Sequence, residues 1–181
     1  GLIPSGGAAT VIIESLESAQ KRGAKILGEV IGYGFSSNGG HISNPTVDGP
    51  VRSLMLCMKD ADVNPDEIDY INAHATSTPA GDSSEAKAIF EVFGSSNPLV
   101  SSTKSMTGHL LGAAGAIEAM ACILAIKNSL IPPTMNHFND DPAIDSKLNF
   151  TFNKAQQRNI NAALSNTFGF GGHNASVIFK K

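Results

Sequence analysis

The sequence predicts a layered α/β fold in which a mixed central sheet is flanked by helices. Apolar, β-branched runs alternate with helical patterns through most of the 181 residues, and three further strand-like runs close the chain. Hydrophobic residues make up 41% and charged residues 16%, which suits one ordinary core and excludes a disordered chain. We find no repeat and no low-complexity linker, so residues 1–181 are predicted to form a single lobe.

The first half of the chain alternates strands with helices. Residues 8–14 are apolar and β-branched and follow two glycines, which predicts an opening strand. Residues 15–23 contain good helix formers, basic residues near the end and a final glycine, which predicts a short helix. The other elements predicted here are a strand over 25–35, a polar loop over 36–50, a helix over 51–61, a turn over 64–67 and a strand over 68–73.

The second half continues this pattern and then becomes strand-rich. Residues 80–93 are rich in Ala and Glu and predict a helix, and residues 99–102 predict a brief strand. Residues 107–129 predict a buried helix, because the small residues at 112–116 permit close packing. The remaining predicted strands cover 148–153, 161–167 and 174–179.

Charge and composition exclude several classes of function. The net charge of −3 and the mildly acidic pI of about 5.9 argue against a nucleic-acid-binding surface, which is normally basic. We see no apolar run near the roughly 20 residues of a membrane span, and the first residues do not resemble a signal peptide. Two cysteines cannot build a disulfide framework. The sequence therefore predicts a cytoplasmic protein with neither a nucleic acid nor a membrane as its partner.

Three polar loops each follow a predicted strand, where sites form in open α/β sheets. They cover residues 72–82, 101–109 and 168–174. His74 comes directly after its strand and is followed by alternating hydroxyl residues. Two interpretations fit this pattern: an oriented hydrogen-bond donor beside a polar groove, or a surface histidine in a hydroxyl-stabilised turn.

A lysine, a histidine and a glutamate are closely spaced in the second loop and the helix after it. Lys104 precedes His109 by five residues, so its charge could hold the imidazole neutral and leave it a hydrogen-bond donor. Glu118 falls on the predicted buried helix, where a carboxylate needs a partner such as Lys104 or a backbone amide. A solvated lysine, a histidine at a helix start and an exposed glutamate fit the same residues.

Metal and dinucleotide sites are disfavoured by spacing. The chain has no His-x-x-x-His or Cys-x-x-Cys pair, which argues against zinc. The glycines around Phe170 lead into a terminal strand and leave no room for the helix of a dinucleotide site. Cys57 and Cys122 lie in apolar helical stretches without basic neighbours, so we interpret both as packing residues. The chain then has no evident nucleophile, and His41 and His137 receive no role.

Three segments resemble motifs of the elongating β-ketoacyl-acyl-carrier-protein synthases, in that family's order. They are NAHATSTPAGD at residues 72–82, SSTKSMTGHLLGAAG at 101–115 and NTFGFGGHNA at 166–175. The similarity extends across nearly the whole chain, and chance would hardly produce even one of these segments. Two positions depart from the family: Ala75 replaces a usual glycine, and His173 replaces a usual threonine.

The resemblance implies a C-terminal lobe of the thiolase-like fold. Family members carry a nucleophilic cysteine in an N-terminal half of similar size, and no such segment is present here. We therefore expect residues 1–181 to be one C-terminal lobe, to lack the cysteine-bearing lobe, and to leave an apolar face uncovered. The complete protein is expected to be a homodimer.

The resemblance also implies an activity, which is the decarboxylative condensation of malonyl-acyl carrier protein with an acyl thioester in fatty-acid biosynthesis. The lobe alone is not expected to condense. The substrates are carried on the phosphopantetheine of acyl carrier protein, with no metal and no other cofactor. Alternatives are a noncatalytic subunit similar to a chain-length factor, or a polyketide ketosynthase lobe.

Individual roles follow the family motifs residue by residue. His74 and His109 match the histidines that stabilise the enolate oxygen, and Lys104 matches the lysine that supports them. Glu118 matches the buried partner of that lysine. The remaining matches are the Phe170 amide in the oxyanion hole, Phe168 and Phe170 at the acyl gate, and Thr76 and Thr78 on the phosphopantetheine arm.

Overall fold

A six-stranded mixed sheet organises the chain, whose computed structural model describes residues 1–42, 45–144 and 147–181. The helices are α1 (Leu16–Lys21), α2 (Asp48–Ala61), α3 (Pro79–Phe93), α4 (Lys104–Thr107) and α5 (Ala114–Asn128). The strands are β1 (Glu29–Ser37), β2 (Tyr70–Asn72), β3 (Leu99–Ser101), β4 (Leu130–Ile131), β5 (Asn149–Phe150), β6 (Gln156–Gln157), β7 (Ala162–Gly169) and β8 (His173–Lys180).

The strand order of the large sheet is β1-β8-β7-β2-β3-β5. Strand β8 runs antiparallel to both of its neighbours, β1 and β7, whereas β7, β2, β3 and β5 are mutually parallel. Strands β4 and β6 form a separate two-stranded ribbon. The predicted layered α/β class with a mixed central sheet and flanking helices is thus confirmed.

Each face of the sheet is covered by different helices. Helices α2 and α3 pack on one face, where Leu54, Ile71 and Phe93 are buried in one cluster. Helix α5 packs on the other face, where Tyr70 and Cys122 belong to a second cluster. Successive residues of β2 point to opposite faces, so this short central strand is buried on both sides.

Helix α2 lies very close to edge strand β1, and glycine makes this possible. A Cβ added at Gly34 would sit 2.0 Å from the Ser53 carbonyl oxygen, a distance that backbone atoms cannot accommodate. The Ser53 hydroxyl instead donates to the Gly34 carbonyl at 3.0 Å. We expect Gly34→Ala to displace α2 from the sheet.

The predicted opening strand over residues 8–14 is wrong. This segment has no assigned secondary structure and pairs with no strand in the described ranges, and Ile12 and Ile13 are 85% and 75% exposed. A strand needs a neighbour to satisfy its backbone groups, and the sheet ends at β1 without reaching this segment. Its β-branched residues therefore have no strand to pair with among the residues that the structure describes.

Other boundaries differ locally. The helix predicted over 107–129 is interrupted, because Gly108 has φ of +71°, so α4 ends before it and α5 begins at Ala114. Helix α2 begins three residues before its predicted start, and the two-residue strands β4 and β6 were not predicted. Helices α1 and α3 and strands β7 and β8 lie close to their predicted positions.

One segment is apolar enough to be compared with a membrane span. Residues Leu111–Asn128 have a mean hydropathy of 1.4 over 18 residues, which corrects the expectation that no such run exists. Length and composition alone are weak evidence, because core helices pass the same test. Glu118, Cys122 and Ile126 of this segment are buried against the sheet, but only 28% of the segment is buried in this chain, so α5 covers the sheet with one side and exposes the other.

An apolar face remains uncovered on the α5 side of the sheet. Tyr33 and Phe35 pair with Val177 and Ala175 of β8, so they share the face on which α5 packs. Met120 and Leu124 of α5 are also exposed, Leu124 by 53%. We call Tyr33, Phe35, Met120 and Leu124 the uncovered face; the expectation that a missing lobe leaves such a face open stays a prediction.

Candidate active site

The predicted polar loops meet at the end of the sheet where β2, β3 and β7 terminate. Strands β2, β3 and β7 are parallel, so the loops that follow them emerge on the same side. A cavity of about 1000 Å³ opens there, and Thr76, Lys104 and His109 line it. Sheet topology therefore brings together segments far apart in sequence.

His74 and His109 lie next to each other at this end of the sheet. Their ring centroids are 5.3 Å apart and their planes are nearly perpendicular, at 84°. The Phe168 ring lies 5.9 Å from that of His74. The structure thus brings together both predicted histidines and one of the two predicted gate residues.

The tautomer of His109 is fixed by its neighbour in the chain. The Leu111 backbone N–H donates to His109 Nδ1 at 3.1 Å, so Nδ1 is an acceptor and the proton of the neutral ring is on Nε2. The backbone of His109 is held in turn by the first residues, since its N–H donates to the Ile3 carbonyl at 2.8 Å and its carbonyl accepts from the Ser5 N–H at 2.9 Å. His109 therefore offers an oriented Nε2–H donor.

Burial keeps His74 neutral. Desolvation, followed by the charge of Lys104 and then His109, lowers the pKa of His74 to about 3. The same two leading causes, burial and then Lys104, lower the pKa of His109. Lys104 thus acts on both rings as the lysine-histidine spacing suggested, although burial is the larger cause.

We expect the His74 ring not to titrate between pH 5 and 8. A lowered pKa means that the folded protein holds the neutral ring throughout this range, whereas an unfolded histidine gains its proton near pH 6.5. Imidazole carbon and nitrogen chemical shifts, measured by NMR in the folded chain and in denaturant, provide the comparison. A folded His74 that titrates near 6.5 would contradict this electrostatic account.

Lys104 and Glu118 form a buried ion pair. The Lys104 Nζ donates to Glu118 Oε1, and the two side chains are 5% and 3% exposed. This confirms Lys104 as the partner expected for Glu118 and removes the solvated-lysine interpretation. Burial raises the pKa of Glu118 to about 7 even though Lys104 opposes the shift. The second carboxylate oxygen, Oε2, has no hydrogen-bond partner among the described residues.

The sequence interpretation missed Glu85, which lies beneath the His74 loop. Its Oε1 accepts the His74 backbone N–H at 2.9 Å, and its Oε2 accepts that of Ala75 at 2.7 Å. Asp82 has a similar role and accepts the Ser77 N–H at 3.1 Å. Burial raises the pKa of both carboxyl groups. The position of both carboxylates on the first turns of the helix that follows this polar loop could have suggested them.

The β7–β8 hairpin carries the predicted gate. Gly171 and Gly172 have φ values of +83° and +77°, a conformation that other residues rarely adopt, so the turn after Phe170 requires glycine. Phe168 packs near His74, whereas Phe170 projects from the hairpin and is 77% exposed. The two phenylalanines therefore occupy different environments.

The two departures from the family motifs have distinct surroundings. Ala75 has an ordinary negative φ, so its side chain adds no backbone strain. His173 lies at the start of β8, with its ring 6.1 Å from the Phe35 ring and nearly parallel to it. His173 thus faces β1 and not the two histidines.

The remaining predicted residues are partly brought together. Thr76 lines the cavity, and its Oγ1 lies 3.1 Å from Thr78 Oγ1.

Cys57 and Cys122 are fully buried, and burial raises the pKa of the Cys57 thiol to about 12 and that of Cys122 as well. Both are packing residues, as the sequence indicated. Within the described ranges, no three His, Cys, Asp or Glu side chains are grouped as a metal site.

Several known proteins are similar to this chain in sequence and in fold. A family model described as "Beta-ketoacyl synthase, C-terminal domain" matches residues 27–138. The chain is 48% identical over its whole length to 3-oxoacyl-[acyl-carrier-protein] synthase 2 of Staphylococcus aureus (strain COL), and it spans 44% of that protein.

Two solved structures also match, each over 93% of this chain and 41% of the other. One is a β-ketoacyl synthase from Burkholderia phymatum STM815, with a TM-score of 0.89 and 39% identity. The other is the ishigamide ketosynthase/chain length factor, with a TM-score of 0.87 and 42% identity. The chain therefore spans less than half the length of the proteins it matches.

Proposed function

Because this chain belongs to the β-ketoacyl synthase family and matches its C-terminal domain, we propose that it supplies the decarboxylation half of a 3-oxoacyl-[acyl-carrier-protein] synthase site. The observation that carries the proposal is the pair of neutral histidines whose rings are 5.3 Å apart, of which His109 lines the cavity. Their joint chemistry is donation of two hydrogen bonds to one developing oxyanion.

The proposed first step is loss of carbon dioxide from a malonyl thioester. The bond between the α carbon and the carboxylate breaks, and its electron pair moves toward the thioester oxygen as an enolate. The His109 Nε2–H, fixed by the Leu111 amide, points its proton at this oxygen, and His74 is the second donor. Neutral rings suit this role because their charge is unchanged before and after the step.

The second step forms the carbon–carbon bond. The enolate carbon attacks the carbonyl of an acyl thioester, and the thiolate leaves as the ketoacyl product is released. The acyl group is held on a cysteine that we assign to a separate N-terminal lobe, since both cysteines of this chain are buried packing residues. We propose that the Phe170 amide contributes to the oxyanion hole of this step, and that Phe168 and Phe170 gate the acyl chain.

Substrate delivery is assigned to acyl carrier protein, whose phosphopantetheine arm enters past Thr76 and Thr78. The relative at 48% identity is named for this carrier. Lys104 is a positioning residue in this scheme, because its charge helps to keep both rings neutral. Homodimeric assembly of the complete protein and a cytoplasmic location stay predictions.

Reconstitution tests the proposal directly. We would mix the chain with an N-terminal lobe carrying the cysteine, supply acyl- and malonyl-acyl carrier protein, and detect the ketoacyl product by mass spectrometry. We expect product from the mixture and none from the 181-residue chain alone. His74→Ala or His109→Ala is expected to lower malonyl decarboxylation by about 100-fold or more, as loss of one oxyanion donor does elsewhere.

Two controls separate chemistry from assembly. Size-exclusion chromatography establishes that each variant still forms the two-lobed complex, and Lys59→Ala on the exposed end of α2 is expected to retain full activity. A folded complex without any condensing activity would contradict the proposal and favour a noncatalytic subunit similar to a chain-length factor. Retention of both histidines and Lys104 argues against that alternative.

A further inference from the structure

A line of buried polar side chains runs across the sheet and ends at the His74 loop. It starts at Ser176 on β8; Ser53 on α2 only packs against this hydroxyl, because Ser53 donates its one hydrogen to the Gly34 carbonyl. The Ser176 hydroxyl donates to Asn166 Oδ1 on β7 at 2.8 Å, and Asn166 Nδ2 donates to Glu85 Oε1 at 3.1 Å. Ser53, Ser176 and Asn166 have no solvent-accessible surface, and Glu85 is only 4% exposed.

The direction of the hydrogen bonds along this line is determined by donor chemistry. Glu85 receives N–H groups from His74, Ala75 and Asn166, so it acts as an acceptor at every contact. Because the Glu85 carboxylate only accepts, the Asn166 NH₂ must face it, so Oδ1 of Asn166 faces the Ser176 hydroxyl and accepts its hydrogen. Each bond in the line therefore orients the next, and buried lines of this kind reinforce one another.

From this arrangement we propose that Asn166 and Ser176 are positioning residues that, through Glu85, hold the His74 loop in place. Ser176 was not singled out by the sequence motifs, and it lies on β8, which is separated from β2 by β7. The support of the His74 loop by these residues does not depend on the proposed function. Only its consequence for catalysis, the alignment of the His74 ring, rests on the proposed function.

The test is amide hydrogen exchange in the 181-residue chain, followed by NMR. The His74 and Ala75 amides are bonded to Glu85, whereas the neighbouring Ala73 amide is bonded to the Ser101 carbonyl at 2.8 Å and serves as the internal reference. We expect Asn166→Leu to lower protection of His74 and Ala75 by about 10-fold or more while Ala73 changes little. Ser176→Ala should have a smaller effect, and Ser53→Ala, which removes no bond of the line, should leave the ratio of His74 to Ala73 protection unchanged.

A matched control comes from a buried hydroxyl outside the line. Thr151 is fully buried and accepts a bond from Gln156 Nε2 at 3.0 Å, so Thr151→Val removes a comparable group. We expect it to leave the ratio of His74 to Ala73 protection unchanged. Protection that falls equally at all three amides, or a Thr151→Val effect as large as that of Ser176→Ala, would overturn the proposal. If Asn166→Leu does not fold, the serine variants decide the same question.

Asn166→Asp adds a pH signature that a purely structural role would not produce. Its carboxylate keeps the shape of the amide but has no proton to donate to Glu85 unless the pair binds one. We expect protection of His74 and Ala75 to be lost at neutral pH and to recover in acid, whereas Asn166→Leu stays impaired at every pH. Lys104 and Glu118, the charged groups that face Glu85, are unchanged in both variants.

Activity measurements on the reconstituted two-lobed protein separate this inference from the proposed function. There, Ser176→Ala is expected to lower kcat for malonyl decarboxylation with little change in KM, because His74 is misaligned while substrate binding persists. An inactive assembly with the predicted exchange pattern would refute the proposed function and leave the positioning line intact. An active assembly in which no variant changes the amide exchange would refute the positioning line and leave the proposed function intact.

Discussion

Replacing Lys104 with methionine is expected to lower the free energy of unfolding by about 3–5 kcal/mol, the largest single-residue effect that we predict. Lys104 and Glu118 are almost completely buried together, and the second oxygen of Glu118 has no partner among the described residues. Without the lysine, Glu118 must remain charged and unpaired or take up a proton. Urea denaturation of the 181-residue chain measures the loss.

The loss is expected to grow with pH. Burial already holds the pKa of Glu118 near 7, above the value of 4.5 for a free glutamate, and removal of Lys104 raises it further. The folded state then binds a proton that the unfolded state releases, so stability falls as pH rises toward the folded pKa. From about pH 7 up to the further-raised pKa of Glu118, Lys104→Met should lose up to about 1.4 kcal/mol per pH unit relative to the original chain.

A double variant provides the control. Lys104→Met combined with Glu118→Gln removes both charges, so it should recover most of the stability and lose the extra pH dependence. Retention of that pH dependence in the double variant would assign it to another group and contradict this account of the pair. The double variant should still lack the effect of Lys104 on the histidines, so His74 is expected to titrate at a higher pH than in the original chain.

The sequence was sufficient for those features that depend on local pattern. The helix at α1 follows from Ser15, whose hydroxyl accepts the Ser18 N–H, together with the basic end and the glycine stop. The meeting of His74 with His109 follows from parallel strands, because each histidine loop comes after a strand of the same direction. The Lys104–Glu118 pair follows from the cost of an unpaired buried carboxylate, although spacing alone left an exposed glutamate equally open.

What the sequence did not predict depends on contacts between distant segments. Residues 8–14 have the composition of a strand but no neighbour to pair with in the described ranges, so propensity and structure disagree. Glu85 resembles any glutamate of an Ala- and Glu-rich helix until the fold places it beneath two backbone amides. The pairing of Ser176 with Asn166 joins two strands of a hairpin, and no spacing rule indicates that their polar groups point inward together.

Changing Leu124 to lysine is expected to weaken binding of the chain to a cysteine-bearing N-terminal lobe by about 30-fold to 1000-fold, the range for a central interface residue. Leu124 belongs to the uncovered face, where apolar side chains of α5 and β1 are exposed together. The chain spans 44% of its Staphylococcus aureus relative, so a second lobe is the occupant that we propose for this face. Calorimetric titration of one lobe with the other measures the change.

Met55→Lys is the matched control. Met55 is 59% exposed on α2, which covers the opposite face of the sheet, so its substitution places the same charge on an equally exposed apolar residue. Both variants should retain the stability of the isolated chain to within about 0.5 kcal/mol, because neither side chain is buried within it. Equal binding losses for Met55→Lys and Leu124→Lys would show that added charge, and not the α5 face, governs association, and they would remove the uncovered face as the site where the second lobe docks.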